Sequence, residues 1–397
     1  MARLTDEAID RMSQEVAQIM ADLSDDVVGV ICRRLKATGE LSASDVSRLT
    51  RLAETGDMSE IADLIALHLG RTADAVDDIF HRIADYNDEW AGVYYKAAGM
   101  DYAGWQSSQI TTALVAQATK STRDYIVQMV DTAAFRYGGN VHTIRSAYVD
   151  AINRGITAVS TGVGDYTTVI RDTVKQLSQS GLREVEYKAG STAERLANQG
   201  ILSVKYPSGR TLRIDSAARM NIMDGFRGTM GQIREQQGRE FGADGYEISA
   251  HGLCAPDHQR IQGKRYTFAA YEKLNDGLER PIGKYNCKHT ISPVIMGVSE
   301  RAYSKEQLAE MSDYSTAEVT YTGIDGKQRT ATRYEATQYQ RSLETALRTK
   351  KSESRALAEA GDTTGARQAT TEARALQSRY RDVSDEMGLQ TRPYRTR

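Results

Sequence analysis

The spacing of apolar residues limits the fold of this chain more than any other feature of its sequence. Through most of the first 180 residues, apolar side chains recur every three or four positions, as Ile61, Leu64 and Ile65 do. This spacing places them on one face of a helix, whereas a half-buried strand needs strict alternation. The sequence therefore predicts helices over 8–23, 27–35, 42–52, 61–70, 72–83, 106–135, 142–157 and 163–179, with Ser42 and Thr72 as caps and Gly70, Gly138, Gly139 and Gly155 as breaks.

Strand signals begin only near Gly200. Residues 201–214 predict a β-hairpin around Pro207-Ser208-Gly209, and residues 318–333 predict a second hairpin that turns at Asp325-Gly326. A long helix is predicted between them, capped by Asp215 and running to about Glu240. The segment from residue 242 to residue 297 is irregular and rich in glycine, with short strand candidates at 246–249, 265–268 and 290–295.

The last 60 residues return to a helical pattern. An alternation of three- and four-residue steps, typical of an a/d seam, joins Ala366, Ala369, Ala373, Leu376, Tyr380, Val383 and Met387. A second helix at about 336–360 precedes this seam across Gly361-Asp362, so the simplest arrangement is an antiparallel helical hairpin. The Ala366–Met387 seam can pair within the chain or with a second copy, and the sequence leaves both open.

Together these patterns predict a mainly α chain with a small α+β module. We expect an acidic helical N-terminal region at 1–100, a helical middle region at 101–200, the α+β module at 201–333 and a C-terminal helical hairpin at 334–397. The net charge of −2 gives no general attraction to nucleic acid. The first 100 residues carry 10 basic and 19 acidic side chains, a net charge of −9, which suits a solvated surface or a basic protein partner.

The cysteine content bounds the redox setting. Only Cys32, Cys254 and Cys287 are present, which is too few for a disulfide framework and fits a reducing cytosol. Cys32 lies among aliphatic residues and is predicted to pack in the core. The sequence shows no apolar leader and no uncharged run near the ~20 residues that cross a bilayer, so we expect no membrane association.

Four residues that bind metals well lie within 36 positions. Cys254 and His258 are separated by three residues, 28 residues follow, and Cys287 and His289 are separated by one. Two close pairs of sulfur and nitrogen ligands favour a structural zinc ion. This spacing is uncommon among zinc fingers, and His251 and Asp257 are alternative ligands. A metal-free, hydrogen-bonded cluster and a catalytic site remain alternatives.

Other chemistries find less support in the same block. A cysteine–histidine nucleophile would use Cys254 or Cys287, but no known signature surrounds either. A nuclease of the His-Asn-His type needs a helix where residues 290–295 predict a strand. Basic residues that could neutralise phosphate groups are interspersed with acids, which favours solvated surfaces; they are Arg260, Lys264, Arg265, Lys284 and Lys288 in the block and Arg348, Lys350, Lys351, Arg392, Arg395 and Arg397 in the tail.

Several short motifs resemble the phage minor capsid protein 2 family. They are Glu247-Ile248-Ser249-Ala250-His251, Asp257-His258, Gln262-Gly263-Lys264, Asn286-Cys287-Lys288-His289, the exit from Pro293 to Ser299, and Tyr334-Glu335-Ala336-Thr337-Gln338. The likeness runs over residues 140–397. The block is more distantly similar to Mu-type minor head proteins, in which cysteine and histidine motifs suggest a metal. This chain has Asp257 where the Mu-type proteins have a second cysteine. In the Asn286–His289 motif it has Lys288, where an arginine is usual in the minor capsid protein 2 family.

The resemblance implies a structural, non-enzymatic protein of a tailed-phage head. It implies a low-copy component near the portal that acts in head morphogenesis, with the portal protein and the major capsid protein as partners. Its location would be the virion, in the capsid interior or at the portal vertex, and the host cytoplasm during assembly. A virion-delivered enzyme or effector with its site in the His251–His289 block, and a head protein that contacts DNA, are the alternatives.

Overall fold

The computed structural model of the protein describes residues 6–39, 58–97, 99–161, 166–180, 212–278 and 280–396. Within this part of the chain there are eleven α-helices and three small antiparallel sheets, so the predicted mainly α fold with a small β-containing module is confirmed. The predicted helix at 42–52 lies outside the described residues. So does most of the predicted hairpin at 201–214.

The first half of the fold is a set of long helices with one short hairpin. The helices are α1 (Asp6–Gly39), α2 (Ser59–Ala97), α3 (Gln109–Asp131), α4 (Ile144–Thr161), α5 (Tyr166–Ser180) and α6 (Ile214–Glu240), and the hairpin between α3 and α4 pairs β1 (Ala134–Tyr137) with β2 (Asn140–Thr143). In the described residues no helix is both long enough and apolar enough to cross a membrane.

Helix α1 is continuous where the sequence predicted two helices. The polar residues that suggested a break have partners elsewhere in the fold: Ser24 is buried, and Asp25 forms an ion pair with Arg355. Asp26 lies 2.7 Å from the Nε2 atom of His68, whose side chain is buried. Tertiary contacts therefore compensate for the low helix propensity of this stretch.

Glycines 70 and 155 do not break their helices. Helix α2 continues through Gly70, and Thr72 donates its hydroxyl proton to the carbonyl of His68 rather than capping a new helix. Gly155 lies within α4. A glycine inside a helix costs about 1 kcal/mol relative to alanine, which burial of the helix's apolar face readily offsets.

The pair Gly138-Gly139 does break the helical pattern, and it forms the turn of the β1–β2 hairpin. Their φ angles are 58° and 78°, which two-residue hairpin turns require and glycine adopts without strain. The sequence predicted the break but not the two strands beside it.

Helix α1 lies at the centre of the main apolar core. It packs against α2, α4, α5 and α6, and against a helix of the C-terminal hairpin. Side chains such as Val16, Leu23, Ile31 and Leu35 are fully buried, and Cys32 lies among them as predicted. Helix α6 contacts α1, α2 and α3 on one side and the small β-sheet on the other. It begins at Ile214, with Arg213 at the N-cap, so Asp215 lies in its first turn and is not its cap.

The module after α6 is built on a three-stranded antiparallel sheet. Its elements are β3 (Gly245–Ile248), α7 (Pro256–Gln259), β4 (Arg265–Thr267), α8 (Phe268–Asp276) and β5 (Ile291–Val294), and the strand order is β4-β3-β5. All three strand predictions are confirmed, whereas the two helices were not predicted. Strand β3 is central, with Tyr246 paired to Tyr266 on one side and to Pro293 on the other.

The C-terminal part contains the predicted β-hairpin at 318–333 and the predicted helical hairpin at 334–397. Its elements are α9 (Lys305–Thr316), β6 (Glu318–Thr322), β7 (Gln328–Thr332), α10 (Arg333–Glu359), α11 (Thr363–Glu386) and a 3-10 turn at Pro393–Thr396. Seam residues Ala373, Tyr380, Val383 and Met387 are buried, and α11 packs along α10. Of the two pairings that the sequence left open, the seam therefore pairs within the chain.

Two basic residues of the tail depart from the predicted solvated surface. The side chain of Arg395 is only 8% exposed, and its guanidinium donates to the carboxylate of Asp10 at 2.6 and 2.8 Å. The Lys351 ammonium donates to the carbonyl of Thr396. The end of the chain is thus fixed against α1 and α10.

Gly238 sets how closely α6 approaches the sheet. A Cβ atom at this position would overlap Pro293 of β5, with 2.6 Å to the Cγ atom of the ring. We expect Gly238→Ala to lower the free energy of unfolding by about 1–3 kcal/mol, as overpacking does. The matched control is Gly228→Ala in the same helix, where nothing lies within 4 Å and a gain of about 0.5–1 kcal/mol is expected. Chemical denaturation measures both, and equal effects would contradict the prediction.

Candidate metal centre

A buried ion pair anchors the module around its sheet. Glu247 and Arg265 face each other across β3 and β4, with 2.7 Å between their charged atoms. Arg265 also donates to the carbonyl of Ser299, and Glu247 accepts the amide proton of Ala302 at 3.0 Å. The pair therefore fixes the segment that leaves the block, and Arg265 is not the solvated cation that the sequence predicted.

The residues of the Gln262-Gly263-Lys264 motif have separate roles in a tight turn. Gly263 has a φ angle of 68°, and a Cβ atom there would lie 2.8 Å from a methyl group of Leu308. The carbonyl of Lys264 accepts the amide proton of Ile248 at 3.0 Å. The buried side-chain oxygen of Gln262 accepts the amide proton of His251 at 3.1 Å and lies 3.3 Å from the Nε2 atom of His289.

The loop that carries Cys287 and His289 is held by helix α6. Tyr285 and Asn286 have φ angles of 53° and 61°, a left-handed conformation that costs energy in residues with side chains. The carboxylate of Asp224 accepts their two amide protons at 2.9 and 3.3 Å. The sequence had no signal for this role, because one acid on a helix resembles a surface residue.

Three of the four predicted ligands converge behind this loop. The Sγ atom of Cys287 lies 3.5 Å from Nδ1 of His258 and 3.3 Å from Nδ1 of His289. One ligand atom from each residue lies within 4.8 Å of the others, and all three side chains are buried. Cys287 also belongs to the apolar core of the module, together with Ile248 and Ile282.

The opposite ring nitrogens of both histidines face oxygen acceptors. Nε2 of His258 lies 2.7 Å from the carbonyl of Arg280, and Nε2 of His289 lies 3.3 Å from the side-chain oxygen of Gln262. Protons on these nitrogens leave both Nδ1 atoms free to act as acceptors. Histidines that bind metals are oriented by this kind of outer hydrogen bond.

The remaining candidates lie at the edge of this group. The Sγ atom of Cys254 is 3.5 Å from Nε2 of His289, on the side of the ring opposite Cys287. The ring of His251 lies 4.5 Å from that of His289, centre to centre. Asp257 instead accepts a hydrogen bond from Arg280 at 2.6 Å. The described geometry thus favours His258, Cys287 and His289 as the first three donors.

Burial keeps the cluster neutral. It raises the pKa of Cys254 to about 12 and also raises the pKa of Cys287. Burial lowers the pKa of His258, and it lowers that of His289 to about 2, with a further contribution from the neighbouring His251. Protonated thiols beside neutral imidazoles are weak nucleophiles, because a reactive cysteine needs a lowered pKa. The raised thiol pKa values are the opposite of what a cysteine–histidine nucleophile needs.

The same three donors fit zinc in chemistry, and Cys287 fits it in its spacing from both histidines. Zinc–sulfur and zinc–nitrogen bonds of about 2.3 and 2.0–2.1 Å in a tetrahedron place the ligand atoms about 3.5 Å apart. The sulfur–nitrogen separations of 3.3 and 3.5 Å match this value. Sulfur and imidazole nitrogen are also the donors that structural zinc sites use.

Asp224 should give the stability of the protein a distinct pH dependence. Burial raises its pKa from 3.8 to about 6, although the amide protons of Tyr285 and Asn286 act in the opposite direction. Its contribution is therefore fully present below pH 3.8 and is lost as the pH rises through about 6. The quantity to compare is the unfolding free energy of the parent protein minus that of Asp224→Asn. We expect this difference to be about 2 kcal/mol larger at pH 4.5 than at pH 7.5. Denaturation in EDTA at both pH values measures it, and a difference independent of pH would contradict it.

Comparison with known proteins yields one family. The model of phage minor capsid protein 2 matches residues 4–195 and 191–384 of this chain. No curated protein and no solved structure matched. The two segments together cover nearly all of the sequence, including the helical front that the motifs alone did not reach, and so the chain belongs to the phage minor capsid protein 2 family.

Proposed function

We propose that this protein is a low-copy structural component of a tailed-phage head, located near the portal vertex and acting in head morphogenesis. The family match over both halves of the chain carries this proposal. In the described structure one apolar core joins α1 to the helices that follow and to the C-terminal hairpin. The partners we propose are the portal protein and the major capsid protein.

The acidic front of the chain is the surface that we propose for the portal or the inner capsid. Helix α2 exposes acidic side chains along its length, among them Asp63, Asp74, Asp85 and Glu89. A basic partner surface would complement this charge. The Ala366–Met387 seam is not part of the proposal, since its buried residues pack within the chain. We keep the four-region division of the chain as a working proposal for designing fragments.

Virions of the phage that encodes this chain provide the test. Quantitative mass spectrometry should find far fewer copies of it than of the major capsid protein. A reagent that joins carboxylates to amines should cross-link the α2 acids to lysines of the portal protein. Heads assembled without the chain should contain the major capsid protein but lose infectivity. Fully infectious virions that lack the chain would contradict the proposal.

We further propose that the cluster holds one structural zinc ion through Cys254, His258, Cys287 and His289. His258, Cys287 and His289 are already arranged around one point. Cys254 lies beside Nε2 of His289, so its side chain must move toward that point to become the fourth ligand. Zinc would fasten the Cys287 loop to helix α7. A buried site without an activated thiolate supports a structural role for the block over an enzymatic one.

Elemental analysis of the purified chain tests this proposal. We expect about one zinc per chain in the parent and none in Cys287→Ser, because a serine hydroxyl is a poor zinc ligand. Cys254→Ser should bind zinc more weakly without losing it. Cys32→Ala is the matched control, since this cysteine lies in the helical core and should not affect the zinc content. A parent protein that binds no zinc, or a Cys287→Ser variant that binds it normally, would contradict the proposal.

A further inference from the structure

A polar cavity lies beside the Cys287 loop but outside the metal centre. It has a volume of ≈200 Å³ and forms where α1, α6, α10 and the segment after α11 meet. Seven of the side chains that line it are basic and three are acidic, so the lining carries a net charge of four positive units. These basic residues come from four separate parts of the chain, and their charges meet only in the folded protein.

Asp10 contacts three of these basic side chains. Its carboxylate accepts two hydrogen bonds from Arg395, pairs with Arg219 and lies 3.9 Å from Arg392. It also accepts the hydroxyl proton of Tyr394 at 2.7 Å. One negative charge is thus shared among three guanidinium groups.

The other two carboxylates of the lining are also engaged. Asp215 lies 3.3 Å from Arg348 and 3.5 Å from Arg213. Glu344 accepts the hydroxyl proton of Tyr380 at 3.1 Å and lies 3.7 Å from Arg395. The acidic side chains therefore have partners already, and the positive excess of the lining remains.

This excess is held where solvent screening is weak. Burial lowers the pKa of Arg219, and the nearby Arg395 lowers it further, which is the effect of like charges that repel. Much of the Arg341 side chain is exposed, and it donates to the side-chain oxygen of Gln338 at 3.3 Å. Its guanidinium nevertheless shares this environment, because burial, together with the nearby Arg395 and Arg219, lowers its pKa to about 10. An anion bound beside Arg341 would reduce the repulsion and gain charge-assisted hydrogen bonds.

We propose that this cavity binds a phosphate group. A tetrahedral anion with several oxygens suits guanidinium groups that approach from different helices, since each can donate two parallel hydrogen bonds. The volume exceeds that of one phosphate, so an ester of phosphate also fits. Free phosphate and a phosphate of DNA share this chemistry. The inference does not depend on a position near the portal, because it concerns the isolated chain.

Calorimetric titration of the purified full-length protein tests the inference. The probes are inorganic phosphate, a short oligonucleotide with a 5′-phosphate, and the same oligonucleotide without it, all at constant ionic strength. We expect saturable binding of at least one phosphate-bearing probe. Arg341→Gln should weaken it about tenfold, the loss expected for one hydrogen bond between charged groups. This variant leaves the ion pairs of Asp10 in place and so should fold.

Two further variants, one outside the cavity and one in its lining, are compared with the parent protein. Arg374→Gln removes an exposed arginine from α11, outside the cavity, and should bind as the parent does. Arg392→Gln, which removes another basic residue of the lining, should weaken binding as Arg341→Gln does. Preference for the 5′-phosphorylated oligonucleotide would identify a DNA end as the source, and equal binding of both oligonucleotides would identify the DNA backbone. Absence of binding by every probe, or equal affinity in the parent and Arg341→Gln, would overturn the inference.

Discussion

The described fold depends on helix α1 being buried on several sides at once. The apolar side chains of a helix in that position are stabilised by dispersion and by the removal of their surface from water. Its polar residues, however, must find partners inside the protein, because an isolated buried charge is very unfavourable. Asp10 meets this condition with Arg219 on α6 and with Arg395, which follows it by 385 positions. The start of the chain, the middle helix and the end of the chain therefore stabilise one another.

Helix α6 connects the helical core to the small module, because it packs against both. Its glycine at position 238 lets β5 approach closely, and its Asp224 holds the left-handed loop in front of Cys287. Arg219 on the same helix donates to Asn286, one residue before that cysteine. The cluster of His258, Cys287 and His289 is thus positioned by the helical core as much as by its own strands. The cavity that we propose as a phosphate site lies at the same boundary between the helical core and the module.

Local signals in the sequence predicted most of the secondary structure. The three strands of the module, both C-terminal hairpins and the long helix after residue 214 follow from periodicity and turn residues. Errors arose where a local signal was opposed by a distant contact. Gly70 and the polar stretch at 24–26 suggested helix ends, but a buried face and the hydrogen bond between Asp26 and His68 keep both helices continuous. Arg265 and Arg395 were predicted to be solvated, and both are buried beside carboxylates.

The sequence by itself determined the family, the helical character and the residues able to bind a metal, because motifs, periodicity and ligand chemistry are properties of short segments. Only the tertiary structure decided which of those ligands converge. It placed Cys287 between two Nδ1 atoms and Cys254 on the far side of His289, a distinction that spacing along the chain does not contain. It also chose the pairing of the C-terminal seam and gathered basic residues from four segments around one cavity. These outcomes depend on contacts between residues far apart in sequence, and burial sets their energies only once the chain is folded.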